Sequence, residues 1–598
     1  MYPTTLKTES SEIVAGFHAW RPKREPLKQH VELFALSIAQ DAFALLMDPG
    51  TAKSYAVVTE MCYLYSIGEI SFAFIVAPSG VDDEWQKTHF PENANVAYKA
   101  FVWEGLSTDA QKKRLAMFLK SEFVGLKVLI VRIDAFSRNT HIELFKSVIM
   151  QRQTYFVLDE GHVIKNPESN RADNFVHGLN RPMDNCGAVP YTFDFKGDRK
   201  YTRKVTHFAS SAKFRRLLTG TLISKSPLNA WAPYQWLRYG TFKNFFAFKN
   251  SHVMQVLETV QGRKYNRPIK PEEIDRVHQL ALRMEPSDIA QSMHIPENHV
   301  RYILNNPQNR TPYKNMEEIK AVMDEMSYYC RLEDVAQIPV EVSVIVAPMT
   351  ENQRRVYTEL KKDQVADLGD KSLVVTSKIA LLTRFSQVAS GLFRPTNPRF
   401  ADKVNWDDDT WEHDEDTSDE ANKYELELID EPTNKYIALK ALISEWYDTT
   451  AERSTFGRPL VVASRFVAEI ELVTRLLKVD FPHLNVEVYY GKTSTMVRSR
   501  LKAQFKEGLI DIFVVNPSTA GTGLNLQNGD KLVELSSDYD YMKRKQLHGR
   551  LVRIGQTETV KIWKIQSENC VDQHVEEILS QNAELSEYFR TTSVEELL

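Results

Sequence analysis

Residues 156–162 read Phe156-Val157-Leu158-Asp159-Glu160-Gly161-His162. A short apolar run stops at two adjacent carboxylates. A strand buried on both faces reads as such a run, and a parallel sheet gathers its functional polar residues at the carboxyl ends of its strands. Comparable runs occupy Phe43–Met47, Phe74–Val81 and Val128–Ile133, with helical stretches between them. That alternation predicts an α/β fold with a parallel sheet.

A chain of 598 residues is long enough for roughly three to five domains, and 43% apolar content supplies large cores. No apolar run reaches the ~18 residues of a membrane span. Met1-Tyr2-Pro3-Thr4-Thr5 lacks the basic-then-apolar order of a secretory leader. Cys62, Cys186, Cys330 and Cys570 lie far apart without CxxC spacing, which predicts reduced thiols rather than zinc ligands or disulfides. Net charge is −4, yet residues 402–431 hold 14 acids against Lys403 and Lys423. The remainder carries +8, a mild bias toward an anionic partner.

After Phe43–Met47 comes Asp48-Pro49-Gly50-Thr51-Ala52-Lys53-Ser54, which opens a helix. A strand, a small-residue loop ending in Lys-Ser, and a helix make a triphosphate cradle. Backbone N–H groups and the helix N-terminus face the anion. Gly50, Thr51 and Ala52 would then line ATP, and Lys53 would reach its β- and γ-phosphates. Ser54 and Asp159 would hold Mg²⁺, and Glu160 would orient or deprotonate the attacking water. Ala52 stands where glycine normally precedes the lysine. Its methyl either crowds the phosphates or is absorbed at negative φ. The same seven-residue string resembles the loop of the minichromosome-maintenance replicative helicases.

Downstream lie Ile164-Lys165-Asn166-Pro167, Leu218-Thr219-Gly220-Thr221, Ser518–Leu526, and Gln546-Leu547-His548-Gly549-Arg550-Leu551-Val552-Arg553-Ile554-Gly555-Gln556. In this order the motifs resemble the Swi/Snf-type branch of superfamily 2 helicases and DNA translocases. The resemblance implies two RecA-like parallel-sheet lobes of the P-loop NTPase class, with ATP in the cleft and DNA across both. It implies that His162, Thr219 and Thr221 couple hydrolysis to the DNA path. Gln29 becomes the adenine-contacting candidate, with His30 in the expected register, and Thr519 and Gly521 approach DNA phosphate. Gln546, Arg550 and Arg553 join Glu160 as catalytic residues. The two arginines, three apart, would share one helical face and act as fingers on the transferred phosphoryl group. The implied activity is DNA-dependent ATP hydrolysis driving movement along duplex DNA. Two alternatives stay open: a strand-separating or reannealing helicase, and an ATPase-impaired DNA-binding scaffold. Compactness without histone-reading modules resembles bacterial or phage-encoded members, hence a cytoplasmic protein of a bacterial or phage-infected host cell.

The expected organisation is an ATP-binding lobe over 1–261, an inserted all-α segment over 262–310, and the end of the first lobe with a helical bridge over 311–400. An acidic linker follows over 401–431, and the second lobe fills 432–598. Within the insert, Ile289, Ala290, Met293, Ile295, Val300, Ile303 and Leu304 fall where two helices pack across a short turn. This resembles a helix-turn-helix whose second helix turns Asn298, His299 and Arg301 outward to DNA. The alternative is a helical insertion that packs on the lobe and reads nothing.

Overall fold

The run that ends at Asp159 is a strand buried along its whole length. The computed structural model describes residues 15–17, 19–38, 40–103, 108–137, 141–177, 191–193, 199–201, 212–220, 222–223, 226–260, 263–309, 311–363, 365–368, 371–374, 378–394, 426–446, 457–521, 523–537, 540–577 and 579–580. Thr221 and most of the acidic stretch therefore lie outside the described residues. The chain divides into two units. Met1–Met47 and Lys53–Tyr329 fall in the first, and Asp48–Ala52 and Cys330–Glu584 in the second.

In the first unit, the main strands are β1 (Ala42–Met47), β2 (Phe72–Ala77), β3 (Tyr98–Trp103), β4 (Leu126–Arg132), β5 (Thr154–Asp159) and β6 (Phe214–Thr219). They form one sheet in the order Ser327–Cys330, β1, β6, β5, β2, β4, β3. Each pairing among β1 to β6 is parallel. Helix α1 (Lys28–Ser37) precedes β1, and α2 (Lys53–Ser66) follows it. Because β6 runs between β1 and β5, Thr219 ends a strand flanked by the phosphate-loop strand and the Asp-Glu strand.

The core of this unit contains a complete ion pair. Arg216 on β6 and Glu60 on α2 have almost no solvent exposure. The guanidinium donates from Nε to Glu60 Oε2 at 3.2 Å, and a second bond joins its Nη2 to Glu60 Oε1. Nη2 also reaches the Ser37 carbonyl of α1 at 2.7 Å, and Nη1 the Arg215 carbonyl at 2.9 Å. Tyr155 on β5 donates its hydroxyl to Glu60 at 2.7 Å. Burial works against the Arg216 charge, but Glu60 outweighs it and the proton is held more tightly than usual.

A second cluster, independent of the sheet, sits on the insert. Its hairpin is β7 (Gln255–Val260) with β8 (Arg263–Pro268), followed by α3 (Pro271–Leu280), α4 (Pro286–Met293) and α5 (Glu297–Asn305). Val256, Ile269, Ile274, Val277, Ile289, Ile295, Val300 and Ile303 form its core. The excursion is longer than 262–310 and is not all helical. Its base is closed by Met254 N–H to the Pro312 carbonyl at 2.8 Å and Lys314 N–H to the His252 carbonyl at 3.0 Å.

The second unit has its own parallel sheet of β9 (Val340–Ala347), β10 (Leu460–Ala463), β11 (Val486–Tyr489), β12 (Ile512–Val515), β13 (Lys531–Glu534) and β14 (Val560–Ser567). The order is β9, β14, β13, β10, β12, β11. Alternate residues feed opposite faces. Val462, Val514 and Val533 pack with α6 (Asn434–Trp446) and α7 (Val467–Asp480). Val461, Phe513 and Leu532 pack with α8 (Thr495–Lys506) and α9 (Tyr541–Leu551). Strand β9, expected within the bridge, is instead an edge of this second sheet, paired with β14 over its full length.

Removing one partner of a buried pair strands the other charge, which typically removes about 3–5 kcal/mol. Arg216→Met should therefore lower the unfolding free energy of the first unit by that order, read from urea titrations followed by tryptophan fluorescence. Adding Glu60→Leu to it should recover part of the loss. A single variant as stable as the parent would show that the pair holds nothing.

Candidate nucleotide and DNA site

The candidate phosphate loop turns through two left-handed residues, Gly50 at φ +87° and Ala52 at φ +63°. The negative φ that would absorb the Ala52 methyl is not adopted. A non-glycine residue there is strained by about 1 kcal/mol or more. Thr51 donates its hydroxyl to the Asp48 carbonyl at 2.7 Å. Lys53 and Ser54 are the first two residues of α2, and the Lys53 ammonium rests on the Met47 carbonyl at 2.7 Å.

At the end of β5, Asp159 is buried. Its Oδ2 accepts from Trp85 Nε1 at 2.8 Å and its Oδ1 from the Glu160 N–H at 2.9 Å. Burial, with Glu160 beside it, lifts this carboxyl to about 6, while Trp85 and Lys53 pull it back. Glu160 itself is left-handed, at φ +52°. His162 Nδ1 lies 3.3 Å from both Glu160 Oε2 and Thr219 Oγ1. One ring nitrogen thus sits between the carboxylate after β5 and the hydroxyl ending β6. Gly161 also has a local reason: a Cβ there would come within 2.5 Å of Leu217 Cγ.

Gln29 lies in the first turn of α1, buried, and its Nε2 has no partner among the described residues. His30 is occupied differently, accepting the Leu27 N–H at Nδ1 over 3.2 Å. These features fit ATP and Mg²⁺. They comprise a left-handed loop before a helix that opens with Lys53 and Ser54, one buried carboxylate, and an orphaned amide donor. Among the described residues no cluster of three or more His, Cys, Asp or Glu could hold a metal by itself. An ion sharing its ligands with phosphate oxygens requires no such cluster.

In the second unit, Asn516 caps the turn Pro517–Ala520 by accepting from the Ser518 and Thr519 N–H groups. Arg550 Nε donates to the Gly521 carbonyl at 3.0 Å, and Gln546 is buried beside Gly521. Helix α9 stops at Leu551 with Val552 as an extended cap. Arg553 therefore lies in the turn beyond the helix, and the two arginines do not share a helical face. The chain reverses at Gly555, φ +96°, where a Cβ would strike Gln527. Gln556 Nε2 then fastens that turn through the Gly529 and Gln527 carbonyls at 3.0 and 3.1 Å.

Residues 434–555 match the helicase conserved C-terminal domain. The chain is 28% identical over 143 residues to the Helicase SWR1 of Saccharomyces cerevisiae, covering 21% of this chain and 9% of that protein. It is 31% identical over 87 residues to the chromatin structure-remodeling complex subunit snf21 of Schizosaccharomyces pombe, covering 14% and 7%. The DNA repair and recombination protein RAD54 of Oryza sativa subsp. japonica is 27% identical over 119 residues, covering 19% and 12%. The chain thus matches only about a tenth of the length of these relatives. A solved Sulfolobus solfataricus SWI2/SNF2 ATPase core in complex with dsDNA aligns over 96% of this chain and 97% of that one, at 14% identity and a TM-score of 0.34. The family match lies within the second unit, and the likeness to the relatives extends over 87 to 143 residues.

Sequence reasoning missed three interactions. Trp85 reaches Asp159 from 74 residues away. The Glu60–Arg216 pair spans 156 residues. In the second unit Glu534, at the end of β13, accepts from or pairs with His548 at 3.0 Å and Arg544 at 3.5 Å, both on α9. Burial alone would raise this carboxyl, yet His548 and Arg544 hold it down at about 2. A carboxylate ending an apolar strand was the available signal, read at Asp159 and passed over at Glu534.

The insert corrects the expected DNA face. His299 is buried, not outward, because α5 turns His299, Val300 and Ile303 to one side. Burial, with Lys314 nearby, lowers its imidazole to about 4. Asn298 is exposed, and Arg301 is exposed but already paired with Glu297 at 2.6 Å.

Ala52→Gly should leave folding stability unchanged or raise it by up to about 1 kcal/mol. Any ATP turnover should stay within about tenfold of the parent, ~1.4 kcal/mol of barrier. Calorimetry and phosphate release check both. A much larger gain in turnover would mean that the natural loop is impaired.

Proposed function

We propose that the protein is an ATP-dependent DNA translocase of Swi/Snf type, a DNA-dependent ATPase that moves along duplex DNA. The observation that carries this reading is the His162 nitrogen set between Glu160 and Thr219, in the turn that follows an Asp159 carboxyl that feels the Lys53 charge. It is supported by the helicase C-terminal domain match and by relatives named as remodelling and recombination proteins.

Lys53 offers its ammonium to the terminal phosphates, and the N–H groups opening α2 face the same anion. Asp159 and Ser54 would hold Mg²⁺, whose chemistry there would be positive charge beside the phosphate oxygens. Glu160 positions the water and takes its proton, and the left-handed backbone fixes that carboxylate relative to Asp159. Gln29 donates to the base. Arg550 and Arg553 are the residues to which the motif resemblance gives the role of positive charge for the transferred group. His162 senses Glu160 and Thr219 together, so a change at either alters the other's hydrogen bonding. The cytoplasm of a bacterial or phage-infected cell is the setting that the motif resemblance suggests.

A second reading, a DNA-binding scaffold with little ATP turnover, draws on the strained Ala52 alone. Lys53→Ala and Glu160→Gln decide between them. Both should abolish phosphate release stimulated by duplex DNA, and Glu160→Gln should still bind nucleotide. Parental rates in either variant, or no turnover in the parent with any DNA, would sink the translocase reading.

For the insert, we propose at most a marginal DNA contact through Asn298 and Arg301. Replacing residues 255–311 by a short linker should preserve basal hydrolysis, because the 252–254 and 312–314 backbone contacts close its base. Arg301→Ala should change the salt slope of duplex binding by less than about one ion, read by fluorescence anisotropy. A larger change would restore the insert as a DNA-binding module.

A further inference from the structure

After β2 the chain forms an α turn over Val81–Glu84, a π turn over Trp85–His89 and another α turn over Phe90–Asn93. The wide turn is closed by the Phe90 N–H donating to the Trp85 carbonyl, five residues back. Such turns are rare and recur at functional sites. In a regular α-helix, residues five apart point about 140° away from each other. Here Trp85 and Phe90 are both fully buried. The start of the segment is pinned as well. Asp82, without exposure, accepts the Gly80 N–H at 2.7 Å and pairs with Arg132 Nε at 2.6 Å.

The indole packs edge-on to His89, with ring centres 5.2 Å apart. Its N–H, a donor with no acceptor capacity, meets Asp159 Oδ2, while the Glu160 N–H meets Oδ1. One donor on each oxygen orients the carboxylate and leaves a lone pair on each for a further ligand. Burial alone does not impose such a bond in this protein. Trp103 and Trp236 are as deeply buried, and their Nε1 atoms have no partner among the described residues.

We infer that Trp85 is a positioning residue for the Mg²⁺ site, its indole N–H presented by the π turn to hold the Asp159 carboxylate in the orientation that receives the ion. This rests on the nucleotide-site reading above and deepens it. Groups that orient a metal ligand act on affinity for the ion rather than on the fold, with typical losses of about ten- to a hundredfold.

Trp85→Phe keeps an aromatic ring and removes the donor. Trp85→Met, whose flexible chain fills irregular space, is the second variant should the first not fold. Binding of a fluorescent ATP analogue is measured in EDTA and across a Mg²⁺ titration, together with the Mg²⁺ dependence of hydrolysis and the thermal midpoint. The expected result is a Mg²⁺ half-saturation raised about tenfold or more, with binding in EDTA unchanged. Trp85→His, which retains a ring N–H, should recover part of the loss. A folded Phe or Met variant with the parental Mg²⁺ requirement overturns the positioning role alone. A parent that binds no nucleotide with or without Mg²⁺ overturns the nucleotide site itself, and the positioning role with it.

Discussion

The buried Arg216 guanidinium is the constraint on which the proposed nucleotide site depends. It joins β6 to α2 through Glu60 and to α1 through the Ser37 carbonyl, with Tyr155 of β5 completing the Glu60 shell. Helix α2 begins with Lys53 and Ser54, and α1 carries Gln29 in its first turn. One charge therefore sets the pitch of both helices against the strands that end in Asp159 and Thr219. Taking it out of water is costly, and such pairs contribute little net stability over an apolar replacement. What the pair supplies is position. An apolar substitute could slide, whereas two carboxylate oxygens, two carbonyls and a phenol define a single arrangement.

Strain sits next to two of those elements, just before α2 and just after β5. Ala52 and Glu160 are both non-glycine residues in left-handed conformation, and they stand at the two chain segments expected to face phosphate and water. Backbone of this kind persists only where the surroundings over-determine it. At Glu160 the cause is visible. Its N–H is tied to Asp159, its side chain meets His162, and the following Gly161 is pressed against Leu217. Gly161 thus has a steric reason local to this sheet.

Much of this was legible because strands buried on both faces leave a simple trace: Phe43–Met47 and Tyr155–Leu158 read as strands without any knowledge of their neighbours. Pairings did not leave one. Glu60 and Arg216 sit in apolar contexts that say nothing of each other, and β9 looked like bridge because its partner β14 begins 220 residues after it. The hairpin of the insert, Gln255–Pro268, is too polar to announce itself. His299 was misplaced because its helix buries a face that includes a polar residue next to Val300. An apolar count finds the stripe but not its width.

The arginine segment separates matching a motif from assigning a role. Within Gln546–Gln556, several residues are fasteners: Gln556 and Gly555 lock the 527–529 turn, and Arg550 ties α9 to the carbonyl of Gly521. Glu534 pins the same helix from beneath through Arg544 and His548. Arg550 is therefore a strut as well as a charge, and the residue it braces ends the turn that holds Thr519. Loss of activity on replacing Arg550 would mix lost phosphoryl stabilisation with a displaced 516–521 turn. Arg553 lies beyond the helix cap, outside α9, so the two arginines sit in different local structure.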